Sequence, residues 1–286
     1  MQDDWLGLLV AVVSGAVGGG AAWFLLRPVF GTAVLARRNF RDRDVPVAGG
    51  LVLVLAALAV FAAAVVVEVA VRSGGDLRPV AGSSVSSLVV VLGFGLLGFV
   101  DDAVGSGSER GFKGHLSALR RGTLSAGGLK LAGGGAVALA AVYFTGPRTA
   151  WDLLRDAALI ALAANLGNLL DLAPGRAIKS SVIAFVVLVT VSGANQSLRG
   201  AAVLVGAALA VLWPDLREKV MMGDTGANPL GAVLGLGVVL VGAPSTRTGV
   251  VIVLLLMNLA SEFVSFSRVI AKVPPLRMLD EVGRIR

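Results

Sequence analysis

The stretch Val89–His115, VVVLGFGLLGFVDDAVGSGSERGFKGH, decides the reading of this chain. An uncharged run of apolar residues and glycine stops on Asp101 and Asp102. The free carbonyls at a helix C-terminus make that end negative, so acids are disfavoured there. Two adjacent carboxylates add mutual repulsion. A compensating cation is therefore expected where the apolar run ends.

The rest of the chain sets that run in a membrane. Of 286 residues, 56% are hydrophobic and 15% are charged, against about 25% charged in soluble domains. Nine hydrophobic segments stand out, roughly 5–26, 49–71, 84–100, 129–145, 157–173, 181–193, 200–213, 230–242 and 249–268. Most approach the ~17–25 residues that span a bilayer. The sixth, seventh and eighth are short and are expected to extend into their polar flanks. Abundant Gly and Ala suit close helix packing. The expected fold is an all-α integral membrane protein, a polytopic bundle of about nine to ten transmembrane helices. No soluble domain interrupts it, so residues 1–286 read as one transmembrane domain. The opening MQDDWLGLLV carries acids rather than bases before its apolar run, so it reads as a retained first helix and not a signal peptide.

Orientation follows from the basic residues. With the N-terminus outside, 18 of the 25 Lys and Arg fall in inner loops and the tail, and six in outer loops, with Lys130 just inside the fourth segment. The expected setting is a multi-pass plasma-membrane protein whose charge of +7 lies mostly on the cytoplasmic side. There it can attract anionic membrane lipids or an anionic substrate. Nucleic acid is not an expected partner, since no soluble basic fold is present. In residues 272–286, Leu276, Leu279, Val282 and Ile285 recur at three-residue spacing, as in an amphipathic helix on the inner surface.

Four polar clusters reach the inner face on this topology. The first is Asp101 and Asp102, followed by Lys113 and His115. In the second, Asn165, Asn168 and Asp171 share one helical stripe. Polar groups inside an apolar helix need partners, and the asparagines suit either helix–helix hydrogen bonds or a site. The third is Asp224 in MMGDTGANPLG, which reads alone as a helix N-cap. Placed opposite Asp101 and Asp102, it reads as part of a cation site. The fourth is Asn258, Glu262 and Ser265, on one stripe of the ninth helix. Glu262 either pairs with a base such as Lys130 or Arg268, or lines a cavity. Lys130 either snorkels to the interface or faces substrate.

The chain has no cysteine, and His115 is its only histidine. Carboxylates without thiols or several histidines favour a hard cation. Mg²⁺ uses one or two protein carboxylates and completes its shell with water and phosphate oxygens. Asp101 and Asp102 together with Asp224, with bases nearby, fit a Mg²⁺–diphosphate site, with Asp224 and Asp101 as the leading ligands and Mn²⁺ as the alternative ion. The membrane setting makes a lipid the natural second reactant.

In this order the clusters resemble the polyprenyl-phosphate N-acetylhexosamine-1-phosphate transferases, the glycosyltransferase family 4 superfamily. RDVPVAGGLVLV (43–54) resembles the family's TPxxGG segment. GFVDD (98–102) resembles its paired-aspartate motif, NLGNLLD (165–171) the start of NxxNLxDGxDG, and MMGDTGANPLG (221–231) its FMGDxGSxxLG. The resemblance runs from about residue 37 to about residue 270. It implies a cytoplasmic site that transfers a HexNAc 1-phosphate from a UDP-sugar to a polyprenyl phosphate, with Mg²⁺, releasing UMP for cell-envelope glycan synthesis. Carried over, Asp224 is similar to the metal-binding aspartate, Asp101 and Asp102 to the essential pair, and Asn168 and Asp171 to nucleotide-side residues. Lys130 is similar to a lysine facing phosphate.

Three departures make the chain look like a short, divergent paralogue. Pro174 in DLAPG stands where the family's second aspartate falls. AKVPPLRMLDEVGR (271–284) replaces the histidine-rich loop of the pentapeptide transferases. No segment follows where that branch has a last helix. Two other functions remain on the sequence alone: a turnover-deficient relative that binds lipid phosphate or serves envelope assembly, and, less favoured, a transporter. A homodimer is left open.

Overall fold

The computed structural model describes residues 4–71, 81–104, 126–147 and 149–285. It is built almost wholly of α-helix. In chain order these are α1 (Trp5–Phe30), α2 (Leu51–Val71), α3 (Gly82–Val104), α4 (Ala126–Tyr143), α5 (Ala150–Leu170), α6 (Arg176–Ser192), α7 (Arg199–Leu216), α8 (Asp224–Val241) and α9 (Pro244–Ser261), then the short α10 (Phe266–Lys272) and α11 (Pro274–Glu281). Among the described residues, seven helices are long and apolar enough to cross a membrane, and α4 holds a shorter apolar stretch, Gly128–Tyr143. The protein is an all-α polytopic membrane protein.

Eight of the nine hydrophobic segments are each a single helix. The ninth, 249–268, is broken: α9 ends at Ser261 with Glu262 as its C-cap, and Ser265 is the N-cap of α10, so Ser265 does not share a helical stripe with Asn258 and Glu262. The three short ones do extend into their polar flanks: α6 starts at Arg176, α7 at Arg199 and α8 at Asp224. One element was not anticipated. Residues Ala36–Arg38 (β1) and Asp44–Pro46 (β2) pair antiparallel into a small hairpin between α1 and α2.

Successive helices alternate in direction, so α1, α3, α5, α7 and α9 finish at the end where α2, α4, α6 and α8 begin. At the opposite end, Asp4 receives Arg199 in an ion pair at 2.6 Å. There α5 and α9 are also joined by buried charge: Asp156 pairs with Arg155 and Arg247, each at 2.8 Å.

α8 is the central helix, with most of its residues buried inside the protein. It can sit there because small residues let neighbouring backbones come close. A Cβ at Gly231 would lie 2.1 Å from the Ala163 carbonyl of α5, and one at Gly98 of α3 would lie 2.2 Å from the Asp224 carbonyl. The same device packs α1 on α7, where a Cβ at Gly15 would meet the Val203 carbonyl at 2.0 Å.

Two loop segments join beside the start of α8. Met221 donates its N–H to the Pro46 carbonyl, and Gly49 and Gly50 donate to the carbonyls of Met221 and Met222, at 2.8 to 2.9 Å. The VPVAGG and MMGD segments are thus held together by main-chain bonds. The C-terminal helix α11 leaves Leu276, Met278 and Leu279 exposed. Its other side packs on the start of α6 through Asp280 and Arg176, so it docks on the bundle as well as presenting an apolar face.

Replacing Gly98 by Ala forces α3 and α8 apart at their closest approach. Gly98→Ala should cost about 2 kcal/mol, read as a lower melting temperature in detergent. Gly135→Ala, where an added Cβ meets nothing within 4 Å, should not lower it.

Candidate functional site

The C-terminus of α3 meets the N-terminus of α8. Asp102 Oδ1 accepts the Asp224 N–H at 3.1 Å, and Oδ2 accepts the Thr225 N–H at 3.0 Å and the Thr225 hydroxyl at 2.6 Å. It caps α8 from another helix, supplying an acceptor and a negative charge where the orphan donors of a helix start need both. Arg37 completes the junction: its Nη2 donates to the carbonyls of Asp102 and Ala103 at 2.9 and 3.0 Å. A cation at a helix C-terminus is favourable for the same reason that an acid is not.

Asp101 lies beside this junction and has a different partner. Lys130, from α4, places its ammonium 2.7 Å from Asp101 Oδ2 and also pairs with Asp224 Oδ2. The lysine therefore does not simply snorkel. Asn168 Nδ2 reaches the same Asp224 oxygen at 3.5 Å. All three ionic side chains remain partly exposed, at 29%, 27% and 16% for Lys130, Asp101 and Asp224, so a ligand can reach them.

A cleft of about 390 Å³ opens from this point. Arg38 and Phe40 of the hairpin segment line one side, and Asn168, Asp171 and Pro174 another. Asp102, Asp215 and Asp224 also contribute. Asp171 terminates α5. Desolvation pushes its carboxyl well above the ordinary range, and the like charges of Asp215 and Asp102 add to the rise. Asp215 is 4% exposed and accepts the Gly175 N–H at 2.7 Å. Gly175 has φ +71°, a turn that glycine adopts without strain.

Among the described residues, no group of three or more His, Cys, Asp or Glu side chains is placed to hold one metal ion. The donor set still fits a hard cation of the Mg²⁺ kind. Asp101 and Asp224 already share one small cation, the Lys130 ammonium. Two carboxylates are what the protein usually gives Mg²⁺ when phosphate and water supply the rest.

Other residues singled out from the sequence lie elsewhere. Asn165 donates to Asn258 Oδ1 at 2.6 Å, and Asn258 donates in turn to the Leu254 and Leu162 carbonyls. This is a helix–helix bond between α5 and α9. Glu262 is exposed at the end of α9. Among the described residues it pairs with neither Lys130 nor Arg268, and it does not line the cleft. Lys113 and His115 lie outside the described residues. Arg37, Thr225 and Asp215 were missed in the sequence. Asp215 carried a usable signal, because an acid inside an apolar helix needs a partner.

The two neighbouring aspartates should separate by stability. Asp102→Asn leaves a buried donor at the start of α8 without its acceptor and should cost about 1–3 kcal/mol. Asp101→Asn, whose partner is partly exposed, should shift stability by about 0.5 kcal/mol or less. Thermal unfolding of both variants in detergent decides this.

A sequence profile described as glycosyl transferase family 4 matches residues 84–242, more than half of the chain. The matched region runs from α3 to the end of α8 and so contains the aspartates, Lys130 and Asn168. No individually curated protein matches the chain.

Proposed function

The chain belongs to glycosyl transferase family 4, and from that premise we propose that it transfers a HexNAc 1-phosphate from a UDP-sugar to a polyprenyl phosphate. The family is one of phospho-sugar transferases acting on polyprenyl phosphate, generally with a divalent metal. The sugar, the uridine nucleotide and the placement of roles on residues are our reading. One observation carries it: Asp101, Asp224, Lys130 and Asn168, from four helices, converge at the helix ends beside a cleft that Asp224 and Asn168 line.

In this reading an oxygen of the lipid phosphate attacks the β-phosphorus of the nucleotide sugar. The new P–O bond forms as the bond to UMP breaks, and UMP leaves with the electron pair. Asp102 is committed to the α8 backbone, so Asp101 is the acid of the pair whose carboxylate a ligand can reach, and it would help to orient the lipid phosphate. Asp224 and Asp101 would hold Mg²⁺, which when bound polarises the diphosphate and offsets its charge. Lys130 would then exchange its carboxylate partners for phosphate oxygens. Asn168 and Asp171 sit on the nucleotide side of the cleft.

Two further features support the reading. An apolar groove of about 180 Å³ runs between α5, α6, α8 and α9. Leu170, adjacent to Asp171, is in its lining, so a prenyl chain in the groove would bring its phosphate to the cleft. The excess of Lys and Arg in the loops at this end supports a cytoplasmic orientation in the plasma membrane.

The test is formation of a lipid-linked sugar from labelled UDP-GlcNAc and undecaprenyl phosphate by the purified protein, with other UDP-sugars run in parallel. Asp224→Asn, Asp101→Asn and Lys130→Met should each lower turnover by about a hundredfold or more, as for loss of a group that stabilises transition-state charge. A variant retaining a tenth of wild-type turnover would remove that residue from the proposal.

Chelation gives a separate check. EDTA should abolish turnover, and added Mg²⁺ should restore it, with Mn²⁺ the substitute to compare. Full activity in EDTA would exclude the metal role. UMP binding without turnover across the panel of sugars would favour the turnover-deficient reading, for which Pro174 is the specific observation.

A further inference from the structure

The last described residues touch both walls of the cleft. Arg284 Nε donates to the Pro174 carbonyl at 2.9 Å, and Pro174 lines one wall. Arg41, in the turn of the hairpin that gives Arg38 and Phe40 to the other wall, donates to the Ile285 carbonyl at 2.7 Å. We propose that residues 274–285 form a strap that positions the two walls of the cleft, with Asp280 and Arg284 as its positioning residues. This rests on reading the cleft as the nucleotide-sugar site.

The strap is held by charge that is largely shielded from solvent. Arg176, the first residue of α6, grips Asp280 with two parallel bonds, Nε to Oδ1 at 2.7 Å and Nη2 to Oδ2 at 2.9 Å. The two side chains are 8% and 10% exposed. A bidentate arginine–carboxylate pair fixes direction as well as distance. Arg284 pairs with the same carboxylate. Burial pushes the Asp280 carboxyl up, but Arg176 and Arg284 outweigh it and hold the group below its ordinary range. Lys179 then donates to the carbonyls of Leu279, Asp280 and Val282 at 2.6 to 3.2 Å, closing the end of α11 with a cation where one is favoured.

These bonds do not merely tether the tail. Their partners lie in and beside the turn that carries the cleft wall: Pro174 is inside it, Arg176 follows it, and Lys179 is one turn further along α6. From below, Asp215 holds the Gly175 N–H of the same turn. The turn is thus fixed between α7 and the strap. On the other wall, Arg41 also pairs with the buried Glu218 at 3.1 Å, so the Ile285 bond joins a hairpin that is already anchored.

The test compares full-length wild type, Asp280→Ala, Arg284→Ala and the conservative Asp280→Glu by hydrogen exchange and kinetics in detergent. Loss of a charge-assisted bond should speed amide exchange of residues 172–176 and 39–43 by about tenfold, while α3 and α8 keep their protection. KM for the nucleotide sugar should rise several-fold with kcat little changed, and Asp280→Glu should restore most of both. Unchanged exchange in those segments overturns the strap. Faster exchange with an unmoved KM overturns its positioning role. If the wild type turns over no donor, the functional reading fails, while exchange still decides whether residues 274–285 hold the walls.

Discussion

The structure turns on one polar contact between helix ends. Asp102 stands where its own helix disfavours it and where another helix needs it. The orphan N–H groups at the start of α8 find their acceptor on α3, so the two termini neutralise each other across an acid that belongs to both. Glycine makes the meeting possible: any Cβ at Gly98 would collide with the Asp224 backbone, and one at Gly50 with Gly226. Because α8 is the central helix, its height relative to α3 is fixed here. The other site residues take their places from that register.

This contact also divides the paired aspartates. Adjacent residues on a helix project about 100° apart, so they cannot share an environment. Asp102 turns inward to the α8 backbone, whereas Asp101 turns to the ammonium of Lys130. The compensating cation expected from the sequence is therefore present twice as protein: Arg37 on the end carbonyls of α3, and Lys130 between two carboxylates. A charge already held between acids beside a cleft is stable without ligand. It is also poised for exchange, since a phosphate offers the lysine new acceptors as a metal ion would offer the carboxylates a new cation.

The bundle was legible because a lipid-facing helix must be apolar over its whole span. The three short runs were legible too, since their polar flanks are where helix ends meet partners. The meeting of α3, α5 and α8 followed from polar residues gathered at one end of apolar helices, which cost too much to be idle. The hairpin at 36–46 was not legible: three-residue strands carry no measurable periodicity, and the bonds that flank and dock it, Val47 N–H to the Leu35 carbonyl and Met221 N–H to the Pro46 carbonyl, are main-chain and leave no side-chain signal. Nor could spacing alone assign Asn165. It shares a stripe with Asn168, yet it faces Asn258 across the α5–α9 contact while Asn168 faces Asp224. A stripe gives a common side of a helix, and what stands opposite changes within one turn.

Pro174 illustrates how a departure at one position is absorbed by others. Proline brings no side-chain acceptor and no N–H, so the turn loses a carboxylate where the resemblance places one. The chain does not leave that wall without acid. Asp171 stays at the end of α5, and Asp215, from α7, lies in the same cleft lining and bonds Gly175 one residue beyond the proline. The proline carbonyl, meanwhile, is engaged by Arg284. The wall is thus held by a neighbouring helix and by the tail, two elements outside the 171–175 segment. A motif compared one residue at a time records only the loss at 174. The cleft, as a three-dimensional object, still has Asp171 and Asp215 in its lining, and the turn at 174–175 is bonded both from α7 and from the tail.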